Sequence, residues 1–438
     1  MSTVSVSKVT TKNYKNIRLE EGLDFGALTV LIGANGSGKS NVISLFQFLQ
    51  GSVAGAGTDG QRGRTNFEDA VSRLGGARIL DGTISAPANV NVEYQFACES
   101  IETTLGIELL VPRSHHKVVV EREFLDSGIG CSSPPAYYRV QNGGSGGSGS
   151  GVISVFDYPH DVSKTMVSPP THLENIQNIP DNELAFSVMP RLLESSSFAP
   201  DAVPLYGPRG MIKDSTVSWR FYNANSMNVN RIKFADPKLG RSDLFVSPSG
   251  ENLVLVIYNL IHEDFEFEES LNQMSRDILP VTRKIRALSL GRTAVIFEWH
   301  VEGCSDPLFL DEMSDGTVRM LCWAVVLNSP KLPSLIVIEE PELGIHPAWM
   351  PILAEWIKRA AQKTQVIVTT HSPDLLDHFT DQLDDDGYIY TFQQDSESQN
   401  HFRPKRLDRE TVSGWIEDGW QVGDLYRVGN PAVGGWPW

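Results

Sequence analysis

The chain has 438 residues, 41% hydrophobic and 21% charged, a composition typical of a folded protein. Its length allows two or three domains, or one domain with insertions. A formal net charge of -17 opposes indiscriminate coating of nucleic acid, because phosphates repel such a surface on average. Cys98, Cys131, Cys304 and Cys322 are scattered and include no C-x-x-C pair, so neither zinc nor a disulfide framework is suggested. The first residues lack an apolar signal core, and the longest apolar runs fall short of a membrane span. The expected setting is a reducing cytoplasm without a membrane.

In chain order, "GALTVLIG" ends at Gly33 and reads as a buried strand. From Lys39 the pattern becomes helical, with Val42, Ile43, Leu45, Phe46 and Leu49 at helical spacing. "NVNVEYQFA" and "HKVVVEREF" then alternate as half-buried strands do. "NGGSGGSGSG", Asn142 to Gly151, has few side chains to bury and reads as a flexible exposed connection, natural or engineered. Residues 160–250 are rich in Pro, Ser and Asn and show no clean period. The stretch from Gly250 to Leu288 is more helical, although "LVLVIY" within it also fits a strand. "TAVIFEWH" reads as a strand, "DGTVRMLCWAVVL" as a helix and "PSLIVIEEPE" as a strand ending in acids. "HPAWMPILAEWIKRAAQ" follows as a helix and "TQVIVTTHSP" as a strand, an alternation that predicts an α/β core with parallel strands. The basic clusters "RKIR" (Arg283 to Arg286) and "RPKRLDR" (Arg403 to Arg409) fit solvated faces better than a nucleic-acid path.

Chemistry concentrates where these apolar runs end. "GANGSGKS" fits G-x-x-x-x-G-K-[ST], with Gly33, Gly38, Lys39 and Ser40 at the required offsets between a strand and a helix. Glycine lets backbone N–H groups converge on one anion, and the following helix adds its positive end. Gly33, Asn35, Gly36, Ser37, Gly38, Lys39, Ser40 and Asn41 are therefore the expected triphosphate-binding set. Lys39 would reach the β- and γ-phosphates and the Ser40 hydroxyl would ligate Mg²⁺. "LIVIEE" supplies Glu339 to hold the metal and Glu340 to polarise an attacking water. "VIVTTHSP" puts His371 at another strand end, where a neutral imidazole could contact a γ-phosphate. Each signal alone has a plainer explanation: a geometric turn, two solvated acids, a structural histidine. Their combination is what makes them specific.

Taken in order, "GANGSGKSN", "LDEMSDGTVRMLCWAVVL", "LIVIEEPELGIHPAWM" and "VIVTTHSPDLL" resemble the ABC-type ATPase head of the SMC, RecF and OLD-like proteins. The nearest resemblance is to the RecF-like AAA ATPases, whose members often end much like "VGDLYRVGNPAVGG". The resemblance implies an α/β P-loop NTPase of ABC-ATPase-head type, with a mixed sheet core, an antiparallel β lobe and a helical or irregular insertion. The corresponding domain expectation is an N-terminal lobe at 1–140, a flexible linker at 141–151, an insertion or arm at 152–290 and a C-terminal lobe at 291–438. Ser314 and Gly316 of "MSDGT" stand at the signature's serine and second glycine, which in the family face the γ-phosphate held by another subunit. Asp315 and Thr317 depart from the transporter form of that signature. Leu343 to His346 resemble the D-loop, Glu339 replaces the transporters' Asp, and "NYKNIRL" around Lys15 resembles the family's opening strand segment. The Q-loop glutamine is not placed, Gln95 being the one candidate.

The resemblance further implies a Mg²⁺-dependent ATPase whose heads sandwich ATP, as a homodimer or higher oligomer. A separately encoded effector, nuclease or toxin, would act with it in anti-phage defence or DNA repair, with nucleic-acid contact left open. The tail after His371, with an acidic run at Asp381 to Asp386 and Trp415, Trp420, Trp436 and Trp438, is too small for an added Toprim nuclease domain. The alternatives are a scaffold or sensor that hydrolyses very slowly while sequestering its partner, and a small-molecule kinase built on the same loop.

Overall fold

The computed structural model describes residues 4–54, 65–98, 101–113, 117–128, 137–142, 148–155, 172–194, 205–236, 238–240, 242–383, 387–395 and 398–434. Cys131, residues 143–147 of the glycine-serine stretch, residues 384–386 of the acidic run, Trp436 and Trp438 lie outside them. The strands are β1 (Val4–Lys12), β2 (Leu19–Asp24), β3 (Leu28–Ile32), β4 (Ala88–Cys98), β5 (Ile101–Val111), β6 (Val119–Ser127), β7 (Tyr138–Gln141), β8 (Gly149–Val155), β9 (His172–Ile179), β10 (Arg220–Asn223), β11 (Thr282–Leu290), β12 (Ala294–Val301), β13 (Leu335–Glu339), β14 (Gln365–Thr370), β15 (Tyr388–Asp395) and β16 (Ser398–Arg406). The helices are α1 (Lys39–Ala54), α2 (Asn66–Arg73), α3 (Ala185–Leu193), α4 (Tyr206–Ser218), α5 (Val229–Lys233), α6 (Leu253–Glu263), α7 (Phe265–Ile278), α8 (Asp315–Asn328), α9 (Met350–Ala361), α10 (Pro373–Asp377), α11 (Arg409–Glu417) and α12 (Val422–Arg427). Among the described residues no helix is long and apolar enough to cross a membrane.

The chain forms two units. The first comprises Met1–Phe25, Asn35–Trp219 and Phe392–Lys405; the second comprises Gly26–Ala34, Arg220–Thr391 and Arg406–Trp438. The first unit holds an eight-stranded sheet ordered β2-β1-β4-β5-β6-β7-β8-β9, antiparallel throughout. Val90, Val92, Tyr94 and Phe96 are buried at every second position of β4, the period of a strand with one face on a core. α1 packs against that face, burying Val42, Ile43, Leu45, Phe46, Phe48 and Leu49, and the Tyr94 hydroxyl donates to the Leu45 carbonyl at 2.7 Å. Glu123 of β6 is a fully buried acid. It accepts hydrogen bonds from the Tyr138 hydroxyl (2.6 Å) and from the backbone N–H groups of Ala185 and Phe186 (both 2.7 Å). Burial nevertheless dominates and pushes its pKa up to about 7.

Three expectations are corrected here. Gly149, Ser150 and Gly151, expected in the flexible linker, form part of β8, with Gln141 paired to Ser150, Val140 to Gly151 and Gly149 to Ile179. A ladder uses backbone groups only, and glycine allows close approach: a Cβ on Gly151 would lie 2.4 Å from the Arg139 carbonyl oxygen. The span 152–290, expected as one insertion, is shared out, since β9 completes the antiparallel sheet whereas β10 pairs with β13 in the second unit. "NYKNIRL" is a turn rather than a strand: β1 ends at Lys12, and Asn13 and Lys15 take φ values of 63° and 46°.

The second unit is built on parallel strands in the order β10-β13-β14-β3-β15. All residues of β3 and β14 are buried, as are the first four of β13, the pattern of a sheet covered on both faces. α8 buries Val318 and Met320 to Leu327, and α9 contributes Leu353, Trp356 and Ile357 to the same core. The ambiguous "LVLVIY" run is helical, the start of α6, and its residues Leu253 to Ile257 are buried in that core. β11 and β12 form an antiparallel hairpin, which carries the basic "RKIR" cluster.

Candidate functional site at the carboxyl ends of the parallel strands

Parallel pairing aligns the ends of the second unit's strands. Ile32 of β3 sits opposite Thr370 of β14, and Thr369 of β14 sits opposite Glu339 of β13. The residues that follow these strands therefore emerge on one edge, the edge at which open α/β sheets bind ligands. Gly33, Glu340 and His371 are those residues, and Glu339 is the last residue of β13.

Glu340 is held from three directions. Its backbone N–H donates to the Thr369 carbonyl at 2.9 Å, Asn225 Nδ2 donates to Oε2 at 3.0 Å, and His371 Nδ1 lies 3.4 Å from Oε1. Its φ of 51° is left-handed, a conformation that costs a non-glycine residue about 1–2 kcal/mol. A carboxylate so fixed is set to orient and polarise a water rather than to roam. Glu339 is half-buried at the end of β13.

Behind them, Glu342 is almost enclosed, its side chain 9% exposed. Burial pushes its carboxyl up, while hydrogen bonds from the Thr370 hydroxyl (2.7 Å) and the His371 N–H (3.3 Å) oppose that rise. The Thr370 hydroxyl in turn accepts from the Ser372 N–H at 3.0 Å. Glu342 thus ties down the turn that carries His371.

The glycine loop continues from Ala34 into Asn35–Ser40 of the first unit. Gly36 and Gly38 have φ values of 78° and 99°, conformations that favour glycine. α1 begins at Lys39 with no acidic residue in its first turn, so no side chain of that turn offsets the positive end of its dipole. The Ser37 hydroxyl is buried and makes no hydrogen bond among the described residues, a donor suited to an anionic oxygen. Ser37, Gly38 and Lys39 are buried, while Asn35, Gly36 and Ser40 are exposed. These residues fit a phosphate. Among the described residues no group of three His, Cys, Asp or Glu side chains makes a ready metal cage.

Ser314 caps α8, its Oγ accepting from the Thr317 N–H at 3.2 Å and lying 2.7 Å from Thr317 Oγ1. Asp315 pairs with Lys233 at 2.6 Å. Gly316 lets α8 approach the segment after Glu340, because a Cβ there would lie 3.1 Å from the Gly344 carbonyl oxygen. The "MSDGT" and "EPELGIHP" segments are thus neighbours, fixed further by Trp323 Nε1 donating to the Pro341 carbonyl at 3.1 Å.

Two participants were not singled out from sequence. Asn225 lies within the stretch lacking any period, and only the pairing of β10 with β13 brings it to Glu340. Glu342 stands inside a quoted motif, but its role depends on burial. Gln95, the Q-loop candidate, is a buried residue of β4 in the first unit.

The sequence matches the family described as "AAA domain, putative AbiEii toxin, Type IV TA system" over residues 28–84 and 193–377, more than half of the chain, and the chain belongs to that family. No curated protein matches it in sequence. Among solved structures it is similar to the SmcHead bound to the C-winged helix domain of ScpA, at 12% identity and a TM-score of 0.52 over 93% of this chain and 99% of that one. It is also similar to the Smc head domain with an extended coiled coil bound to the C-terminal domain of ScpA from Pyrococcus furiosus, at 13% identity and a TM-score of 0.47 over 95% and 99%. The fold is that of an ABC-type, SMC-like ATPase head, an α/β P-loop NTPase.

Proposed function

We propose that this protein binds and hydrolyses ATP, and that two copies close head to head around the nucleotide to control a separately encoded effector. The observation that carries the reading is Glu340, suspended between Asn225 and His371 on the sheet edge from which the glycine loop departs. Gly33, Asn35, Gly36, Ser37, Gly38 and Asn41 form the phosphate cradle, and Lys39 supplies positive charge to the β- and γ-phosphates. Ser40 and Glu339 are the residues that would hold Mg²⁺, which when bound neutralises charge on the phosphate oxygens. Glu340 accepts a hydrogen bond from the attacking water and turns its lone pair toward the γ-phosphorus. His371, restrained by Glu342 from behind, contacts the γ-phosphate.

Ser314 and Gly316 complete the site of a second copy, so that γ-phosphate loss loosens the pair. The family's toxin-antitoxin association and the partner-bound state of the matched SMC head support an effector partner, nuclease or toxin. Anti-phage defence or DNA repair is the setting this suggests. Lys39→Ala should abolish nucleotide binding, measured with a fluorescent ATP analogue. Glu340→Gln should accumulate an ATP-bound dimer in light scattering; a monomer at saturating ATP would rule out the sandwich.

A further inference from the structure

The turn between β1 and β2 is unusual in carrying two non-glycine residues, Asn13 and Lys15, in left-handed conformations (φ 63° and 46°). Such strain persists only where surroundings over-determine it, and here they do. Asn13 Nδ2 donates to the Asn89 carbonyl (2.8 Å), the Lys15 N–H to the Ile79 carbonyl (2.9 Å), and the Phe402 N–H to the Asn16 carbonyl (2.9 Å). The Tyr14 hydroxyl lies 2.7 Å from Ser44 Oγ on α1. The outcome of this anchoring is the placement of one side chain. Asn16 Nδ2 donates to the Gly36 carbonyl at 3.2 Å, and Asn16 Oδ1 accepts from Asn41 Nδ2 at 2.6 Å. A single amide thus spans from the glycine loop to the first turn of α1. Beside it, Ile17 Cγ2 occupies the space a side chain at Gly38 would need, 2.3 Å from the Cβ position.

We infer that Asn16 is a positioning residue that presets the loop for phosphate by fixing the Gly36–Ser37 peptide plane. In a trans peptide the C=O and the following N–H point in opposite directions. Holding the Gly36 carbonyl against Asn16 therefore aims the Ser37 N–H the other way and keeps a repelling carbonyl oxygen turned from the anion. Without the clamp, this plane can rotate about ψ of Gly36 and φ of Ser37, and glycine at 36 lowers the cost of that rotation. The bond from Asn41 fixes the amide's orientation, so that the nitrogen, not the oxygen, meets Gly36.

The inference rests on the loop binding phosphate, and the experiment separates the two. ATP affinity and steady-state kinetics are measured for the full chain, Asn16→Ala and Asn16→Asp, with hydrogen exchange of the loop peptide followed in the absence of nucleotide. Asn16→Ala should raise the ATP Kd and KM roughly tenfold, the effect of one lost hydrogen bond, with kcat much less affected. Loop exchange should quicken without a general change in circular dichroism. Asn16→Asp keeps an acceptor for Asn41 but loses the donor, and should weaken ATP at least as much. Unchanged affinity in both variants overturns the inference, whether or not the loop loosens. A wild-type chain that binds no ATP overturns the site reading as well, an outcome distinct from equal binding by wild type and variants.

Discussion

In the second unit, β3 and β14 are buried along their entire length and β13 along all but its last residue. In the first unit, β4 buries Val90, Val92, Tyr94 and Phe96 while Asn91 and Glu93 between them stay half-exposed. A strand covered on both faces has no solvent for a charged side chain except at its end, and that is where Glu339, Glu340 and His371 stand. A strand with one free face can carry polar groups along its whole length, so Glu93, Glu108 and Arg122 stand mid-strand on the open face, where Arg122 lies 3.8 Å from Glu108 on the neighbouring strand. The lesson is that burial decides where chemistry can gather.

The contrast can be tested from its strongest consequence downward. Glu340→Gln, at a strand end, should lower ATP turnover by about 10²–10³-fold while leaving nucleotide binding intact, as loss of a water-polarising group does. Phosphate-release assays give the rate; wild-type turnover in the variant would remove Glu340 from the chemistry. Inside the same strand, Ile338→Ala should cost about 2–4 kcal/mol of stability, read from urea unfolding. On the antiparallel sheet, the exposed Glu102 changed to Gln should stay within about 0.5 kcal/mol. Similar costs at the two positions would erase the distinction. Asn225→Ala should lower kcat about tenfold, the worth of one hydrogen bond to the carboxylate, with KM little changed.

Glu123 is the exception that sharpens the comparison, an acid buried inside the antiparallel sheet. Its folded pKa, pushed up to about 7, lies above the ordinary 4.5. The stability it contributes is therefore complete below the ordinary value and is lost as pH rises through about 7. Glu123→Gln cannot ionise and should flatten the fall in melting temperature between acidic and mildly alkaline buffers. Parallel melting curves for the two proteins across that range would contradict the assignment.

The same physics explains which parts were readable beforehand. Continuous apolar runs ending in "GANGSGKS", "EEPE" and "THSP" are legible because a doubly covered strand must be apolar and its end need not be. Asn225 follows a four-residue strand, and no local pattern distinguishes it from Asn223, Asn228 and Asn230 nearby. Asn16 is hidden for a related reason: its importance comes from contacts made by Ile79, Asn89 and Phe402, which are remote in sequence. Gly149 to Gly151 of the glycine-serine segment mislead in the opposite sense. Their composition suggests freedom, yet backbone hydrogen bonds to β7 and β9 need no side chain at all. "LVLVIY" is undecided in isolation because both a buried helix and a buried strand are apolar; its neighbours in the core settle it.

The left-handed backbone at Glu340 has an evolutionary corollary. A chain selected only to stay folded would drift toward glycine at this position, where the same turn is unstrained. Keeping an acid there means accepting a less stable native state in every generation. Glycine at 340 should accordingly give a hardier protein that has forgotten its reaction, and relatives that abandoned catalysis are the ones expected to carry it.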